Sequence, residues 1–278
     1  MAFVVFSPLA HAVPIPFELF QESEPRVWQQ KIRTESRPEV TMWIHYFTTR
    51  KRDRERFDRF MWRGALYKNL IQDILVEKGV PSELYYLAMI ESGFTRSAKS
   101  SARALGVWQF GAATGRTSGL RIDREVDERL DIVRATRAAA VHLKSLHQQF
   151  GNWYLAMAAY NCGIGCVKRA VRRSGSHDFW KLAHGGYLPT ETANYVPKFE
   201  AAMKITQNPA SYGFEEKTYY EFPDLKPVRV TGGKKLQEVA ATHGIPLRTL
   251  IALNPHLLHA QTPRESRSYK VWLPDERM

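Results

Sequence analysis

Apolar residues recur along most of this chain at the spacing of an α-helix. Trp43, Ile44 and Phe47 begin such a pattern, and it continues to Gly79, a residue type that commonly ends helices. Alternation with a period of two, which is typical of strands, does not occur before residue 207. The pattern therefore predicts a mainly α-helical fold, with helices over residues 38–78, 82–92, 131–149 and 153–161.

The pattern changes after residue 207. Pro, Gly and Tyr then follow one another in an order that is typical of a linker. The segments around Val228 and Val271 alternate between apolar and polar residues, and two short helical patterns lie between them. We therefore expect a small α+β module of βααβ order. The predicted organisation is an N-terminal helical extension (13–80), a helical domain (81–207), a linker (208–224) and this module (225–278).

Length and charge restrict the possible functions only broadly. The 278 residues are enough for one sizeable domain and a smaller second one. No segment approaches the roughly 18 to 20 consecutive apolar residues that a membrane-spanning helix needs. The net charge of +12 favours a polyanionic partner, either nucleic acid, anionic lipid or an acidic polymer. The same charge is also explained by solubility alone.

Residues 1–12 are typical of the end of a secretion signal. They are mostly apolar, and Ala10-His11-Ala12 fits the small-x-small cleavage pattern, although the basic start of a signal is missing. The alternative is a plain apolar N-terminus. Since the first cysteine is Cys162, we expect no lipid-anchored N-terminal cysteine in this chain. The expected location is the periplasm or the cell envelope.

Cys162 and Cys166 are the two cysteines of the chain. An exported protein can oxidise such a pair to a disulfide, but a separation of four residues does not ensure the required geometry. A zinc site would need further ligands at suitable spacing, and none accompany the pair. The sequence leaves disulfide and free thiols open, and it predicts neither a metal nor another cofactor.

The residue with the clearest chemical potential is Glu91. It follows seven uncharged and mostly apolar residues, Leu84 to Ile90, and Gly93 is positioned to end the helix. A carboxyl at the end of a buried helix is disfavoured in its charged form by low dielectric and, more weakly, by the helix dipole. Both effects raise the pKa, as a general acid at neutral pH requires. The alternative is an ordinary capping or salt-bridged glutamate.

Four ordered motifs add a family resemblance. They are E-S-G from residue 91, A-L-G-V-W-Q-F from 104, A-A-Y-N-C-G-I-G-C-V from 158 and E-T-A-N-Y-V from 191. Together they resemble the catalytic domain of lytic transglycosylases in the lysozyme superfamily. The resemblance implies a lysozyme-like helical fold that cleaves the β-1,4 bond between N-acetylmuramic acid and N-acetylglucosamine. It assigns Glu91 as the single carboxyl that acts first as acid and then as base.

The same resemblance implies roles for residues around the cleft. Ser92 would orient the carboxyl through a hydrogen bond, and Gln109 would bond to the substrate or to Glu91. Tyr160 would hold Glu91 or contact sugar, and Asn161 is its partner in the Y-N pair at the cleft. Ordinary glycosidases need two carboxyls beside the scissile bond, yet the stretch from residue 92 to 122 contains none.

Further positions fit the family less completely. Glu191 and Tyr195, one helical turn apart, would line the far wall of the cleft or serve a structural role. The family usually continues W-Q-F with Met and Pro, where this chain has Gly111 and Ala112. Cys162 replaces the usual alanine after Y-N. These departures concern substrate affinity and the shape of the cleft more than the acid itself.

The C-terminal module resembles a lysin motif, a small glycan-binding unit. The resemblance covers residues 226–274, but Gly233-Lys234-Lys235-Leu236 replaces the usual G-D-T-L and the closing pattern is degraded. The fold is therefore expected, whereas glycan binding stays open. A bound module would raise the local concentration of the enzyme on its substrate.

The expected partner is the glycan strand of peptidoglycan, whose carboxylates or phosphates would also explain the basic charge. No helix-turn-helix or stacking-aromatic motif indicates nucleic acid. Two alternatives stay open: a muramidase of the same fold that uses water as acceptor, and a non-catalytic wall-binding protein.

Overall fold

The computed structural model describes residues 31–32, 34–215 and 222–275. The predicted secretion signal at residues 1–12 lies outside them. The described part consists of α-helices and one two-stranded sheet, which confirms the predicted mainly α fold with a small α+β module. The helices α1 to α12 are, in order, Pro38–Thr49, Lys51–Glu77, Tyr85–Ser92, Ala112–Thr117, Ile132–Phe150, Trp153–Cys162, Ile164–Ser174, Phe179–His184, Thr190–Ala193, Tyr195–Gln207, Leu236–Thr242 and Leu247–Leu253.

The predicted continuous helix over residues 38–78 is wrong at one point. Arg50 has an extended backbone, with φ −77° and ψ 124°, and it separates α1 from α2. The bend allows the two helices to pack on each other, and Phe47 of α1 stacks on Phe57 of α2 with ring centroids 4.7 Å apart. Because α1 also packs along α10, the N-terminal helices become part of one helical core.

The core of the helical domain surrounds α3. Tyr85 to Met89 are all buried, as the apolar run predicts. A short 3-10 turn, Ser82–Leu84, precedes α3, so the α-helix begins at Tyr85, three residues later than the predicted start at residue 82. Trp108 is fully buried, and its indole N–H donates to the Thr136 hydroxyl at 2.9 Å. This tryptophan therefore belongs to the core.

Side-chain caps and glycines delimit the two predicted helices that follow. Asp131 accepts hydrogen bonds from the N–H groups of Val133 and Arg134 at the start of α5. Asn152 does the same at the start of α6. Gly151 ends α5 in the left-handed conformation, with φ +66°, which costs glycine little.

The C-terminal module has the predicted βααβ order. Its strands β1, Leu225–Thr231, and β2, Ser268–Pro274, pair antiparallel with Val228 opposite Val271. Helices α11 and α12 pack under the sheet and bury Leu236 and Leu250. Val126 comes from the helical domain but is buried in this second core. The module is therefore packed onto the helical domain.

A buried polar cluster strengthens the contact between module and helical domain. Asp131 accepts a hydrogen bond from the Trp272 indole at 2.6 Å, and it lies 3.2 Å from Nδ1 of the buried His256. Arg134 contacts Nε2 of the same histidine at 3.1 Å and donates to the carbonyl of Lys270. Since arginine can only donate, His256 must carry its proton on Nδ1, facing Asp131.

The helices of the described residues were compared with the requirements of a membrane-spanning segment. None of their helices combines the length and the apolar character that crossing a bilayer requires.

Candidate active site

Glu91 lies in the last turn of α3, where the helix leaves the core. Gly93 follows it with φ +54°, a left-handed conformation that glycine adopts readily. A Cβ at this position would come within 2.1 Å of the Phe60 ring, so a larger residue would also collide with α2. Two independent constraints therefore require glycine here. They fix the point at which α3 ends and hence the position of Glu91.

The Glu91 carboxyl is half-buried and accepts one hydrogen bond. Burial is the largest influence and raises its pKa to about 7. The hydroxyl of Tyr195 donates to Oε1 and opposes that shift, and the positive charge of Lys198 opposes it further. The negative charge of Glu191 adds to the shift. The carboxyl is consequently divided between its acidic and basic forms at neutral pH, as the sequence predicted for a general acid.

Two tyrosines lie near this carboxyl, the buried Tyr195 and the half-buried Tyr160. Burial and the nearby charge of Glu91 raise the pKa of Tyr160 and of Tyr195 well above the ordinary value, so both hydroxyls keep their protons. Tyr195 uses its proton to bond Glu91, whereas Tyr160 donates to the carbonyl of Trp108 at 2.7 Å. The contact with the acid is thus made by Tyr195, the residue expected at the far wall.

Ser92 and Gln109 organise the loop between α3 and α4. The Ser92 hydroxyl donates to the carbonyl of Val107 at 2.8 Å, which ties the end of α3 to this loop. The Gln109 amide donates to the carbonyls of Ala98 and Gly106, at 3.0 and 2.8 Å. In this structure both side chains therefore bond to backbone, and their hydrogen bonds do not go to Glu91.

Asn161 and Glu191 lie where α6 approaches α9. The Asn161 side chain accepts a 2.7 Å hydrogen bond from the hydroxyl of Thr192, a residue that is itself buried. Glu191, its neighbour, is exposed to solvent. The pair α6 and α9 therefore brings the Y-N and E-x-x-x-Y motifs together on one side of Glu91.

The family departures lie at the rim of the same region. Cys162 and Cys166 form a disulfide with Cα atoms 5.8 Å apart, which joins the end of α6 to the first turn of α7. The sequence had left this pairing open. At Gly111, an added Cβ would meet nothing within 4 Å, so the missing methionine leaves open space before α4.

The sequence did not single out Lys198 or Trp43. Lys198 follows Tyr195 by three residues on α10, and its Nζ lies 4.5 Å from the centre of the Trp43 ring. Trp43 in turn donates its indole N–H to Asn194 at 3.0 Å. The sequence offers two signals for this contact: a lysine one helical turn after the motif tyrosine, and the aromatic residues of α1. Their proximity depends on the tertiary fold, in which α1 packs along α10.

Metal chemistry finds no support in the part of the chain that the structure describes. No group of three or more His, Cys, Asp or Glu side chains there is arranged to hold an ion.

Comparison with known proteins identifies the class of this site. The family described as Transglycosylase SLT domain matches residues 69–183, which include Glu91 and the A-x-G-x-W-Q-F and Y-N motifs. The peptidoglycan transglycosylase of Escherichia phage T7 is 39% identical over 36% of this chain and 8% of its own length. A solved structure of lytic transglycosylase Slt from Pseudomonas aeruginosa has a TM-score of 0.43 and 24% identity, covering 51% of this chain and 24% of that one.

The C-terminal residues give the more particular assignment. Residues 224–278 match the family described as Lytic transglycosylase MltD, LysM-like domain. The chain is also 36% identical to membrane-bound lytic murein transglycosylase D of Escherichia coli, over 69% of this chain and 43% of the relative. It thus spans less than half the length of that curated relative. The chain carries an SLT transglycosylase domain followed by an MltD LysM-like domain, and the resemblance in its motifs is confirmed.

Proposed function

We propose that the protein is a lytic transglycosylase that cleaves the β-1,4 bond between N-acetylmuramic acid and N-acetylglucosamine in peptidoglycan. The observation that carries this proposal is the half-buried Glu91 carboxyl with a pKa of about 7, which is suited to both giving and accepting a proton. The family of the matched domain supports it.

In the first step, the protonated Glu91 donates its proton to the glycosidic oxygen. The bond from the anomeric carbon to that oxygen breaks, and the N-acetylglucosamine portion leaves with its 4-hydroxyl restored. In the second step, the Glu91 carboxylate takes the proton of the muramyl 6-hydroxyl, whose oxygen bonds to the anomeric carbon. The 1,6-anhydro ring closes without water, and the acid is regenerated.

Neighbouring residues assist this cycle. The Tyr195 hydroxyl stabilises the carboxylate formed between the two steps, because its hydrogen bond strengthens when the acceptor is charged. Tyr160, Asn161 and Glu191 line the cleft around the sugar. Ser92 and Gln109 act by holding the loop between α3 and α4 in place.

We place the protein in the cell envelope, where its substrate lies. The relative from Escherichia coli is named membrane-bound. The disulfide between Cys162 and Cys166 is consistent with an oxidising compartment outside the cytoplasm. The proposed organisation keeps the predicted boundaries, with the LysM-like module at 225–278 binding glycan.

Mass spectrometry of products from purified sacculi tests the reaction. The intact protein should release anhydro-muropeptides, and Glu91→Gln should release none while still binding sacculi. Products heavier by one water would indicate a muramidase of the same fold. Binding without release by the unmodified protein would indicate a wall-binding protein, and full activity of Glu91→Gln would exclude the assigned acid.

A further inference from the structure

A cavity lies beside the last turn of α3, next to the residue that precedes Glu91. Its volume is about 250 Å³, and it is bounded by α1, α2, α10 and Ile90, the residue before Glu91. Pockets that enclose whole drug-sized ligands have roughly 300–1,000 Å³, so this cavity suits a single group of a larger ligand. We call it the α1 pocket; its lining includes Trp43, Tyr46, Arg56, Phe60 and Lys198.

Two cations, Lys198 and Arg56, line the α1 pocket, and Asp53 is the one carboxylate in contact with them among the described residues. Lys198 is half-buried over the Trp43 ring, and within the described residues its Nζ makes no hydrogen bond and no ion pair. Its pKa is lowered, first by burial, while the charges of Glu191 and Glu91 oppose that shift without contacting Nζ as an ion pair. A buried ammonium of this kind is expected to gain from a negatively charged ligand.

Arg56 supplies the second cation in a fixed orientation. One of its terminal nitrogens, Nη2, donates to Asp53 at 2.8 Å and to the Tyr46 hydroxyl at 3.1 Å. Its Nε and Nη1 donors have no protein acceptor among the residues that the structure describes, and the side chain is 41% exposed. An arginine held this way can offer its remaining donors to a carboxylate.

The aromatic walls complete the site. Trp43 and Tyr46 meet edge to face, with centroids 5.1 Å apart, and they form an apolar surface beside the two cations. N-acetylglucosamine is neutral, and muramic acid that carries a stem peptide has its lactyl carboxyl tied up in an amide, whereas the short peptide itself brings free carboxylates and apolar groups. In peptidoglycan, such a peptide is attached to the muramic acid residue itself.

We propose that the α1 pocket binds a carboxylate of the stem peptide on the strand that Glu91 cleaves. The proposal rests on the proposed function, because it takes the substrate to be peptidoglycan. Charge complementarity favours the stem peptide as the occupant, and Ile90, the residue before Glu91, lines the pocket. The pocket thereby makes the enzyme prefer strands that still carry their peptides.

The test compares strands with and without stem peptides. Arg56→Gln and Lys198→Met are assayed on intact sacculi and on sacculi from which an amidase has removed the peptides. The measured quantity is the ratio of kcat/KM on the two substrates. Losing one charged hydrogen bond should lower this ratio about tenfold in each variant. The matched control is Arg52→Gln, which removes an exposed arginine of the same helix and should leave the ratio unchanged.

Binding measured without turnover separates the two proposals. In the Glu91→Gln background, calorimetry with a disaccharide tetrapeptide and with the same disaccharide lacking its peptide should give tighter binding of the former. Arg56→Gln should abolish that difference. Equal binding of both probes, or unchanged ratios in correctly folded variants, would overturn the α1 pocket as a peptide site. Release of anhydro products from intact sacculi would still support the proposed function if the peptide preference failed, and absence of such products from intact sacculi would count against that function.

Discussion

At the scale of single residues, the burial of Glu91 favours its proposed role as an acid but lowers the stability of the folded protein when the carboxyl is charged. The burial that raises its pKa to about 7 also makes its charged form unfavourable in the folded protein. The apolar run before Glu91 was sufficient to predict this burial. The Tyr195 hydrogen bond was not predictable, because its partner lies 104 residues further along the chain. Sequence motifs therefore indicate the acid, whereas its electrostatic control depends on the tertiary fold.

Replacing Glu91 by Gln should stabilise the protein above neutral pH. The folded pKa of about 7 exceeds the ordinary value of 4.5, so the stability associated with the protonated carboxyl is full below pH 4.5 and is lost as the pH rises through 7. The limiting gain of Glu91→Gln over the natural protein is about 3 kcal/mol at high pH. Urea unfolding between pH 5 and 9 measures it. A stability difference that stays constant over this range would contradict the burial of the carboxyl.

Replacing Tyr195 by Phe should move the pH profile of cleavage. The hydroxyl lowers the pKa of Glu91, so its loss raises that pKa further. Because the acid must begin protonated, the decline of kcat/KM at high pH should shift to higher pH. The maximum rate should fall about tenfold, since the carboxylate loses a charge-assisted hydrogen bond. Tyr212→Phe is the control, and an unshifted profile in Tyr195→Phe would show that the bond does not act on Glu91.

At the scale of elements, the prediction succeeds where a helix has a long apolar pattern and a clear cap. Helices α5 and α6 are of this kind, because each begins at a capping Asp or Asn and ends at a glycine. Helices α8 and α9 have only six and four residues, too few for a period of 3.6 to be recognised. The break at Arg50 was missed because apolar residues recur at helical spacing on both sides of it, and no proline or glycine marks the boundary. The contact of Trp43 with Lys198 likewise depends on the tertiary fold, in which α1 packs along α10.

Two helix caps of the same chemistry should differ in importance. Asp131 caps α5 from a buried position and also bonds Trp272, while Asp178 caps α8 at the surface. Asp178→Ala should cost about 1 kcal/mol of unfolding free energy, as an ordinary cap does. Asp131→Ala should cost about 3–5 kcal/mol, since it removes the cap, leaves Arg134 with Glu128 as its one carboxylate partner and takes the acceptor from the Trp272 indole. Thermal unfolding of the two variants gives the comparison, and equal losses would show that the buried cluster adds nothing.

At the scale of the whole molecule, the LysM-like module and the helical domain share one interface. Val126 is buried in the core of the module, and the backbone of Asp127 bonds to His256 at 2.9 Å. The sequence predicted the βααβ fold because its strands and helices are local patterns. It did not predict the docking, since a buried Val126 in a polar loop has no periodic signal.

The intact protein should therefore unfold in one cooperative transition. Deleting residues 222–278 would expose Val126 and leave Asp131 without Trp272, so we expect the remaining chain to aggregate or to melt at a lower temperature. Differential scanning calorimetry of both chains measures this. Two separate transitions, with the larger one unaffected by the deletion, would mean that the domains are thermodynamically independent.

The docked module also bears on how the proposed glycan substrate would meet the cleft. Two sites joined by a flexible chain sample many separations, and polymer statistics set their effective concentration. Here Asp131, Arg134 and Trp272 hold the two sites at one separation. A glycan held by the module would then reach Glu91 at a set number of sugars from its anchoring point. The enzyme would act as a molecular ruler, and fragment lengths would be spaced by the dimensions of the protein.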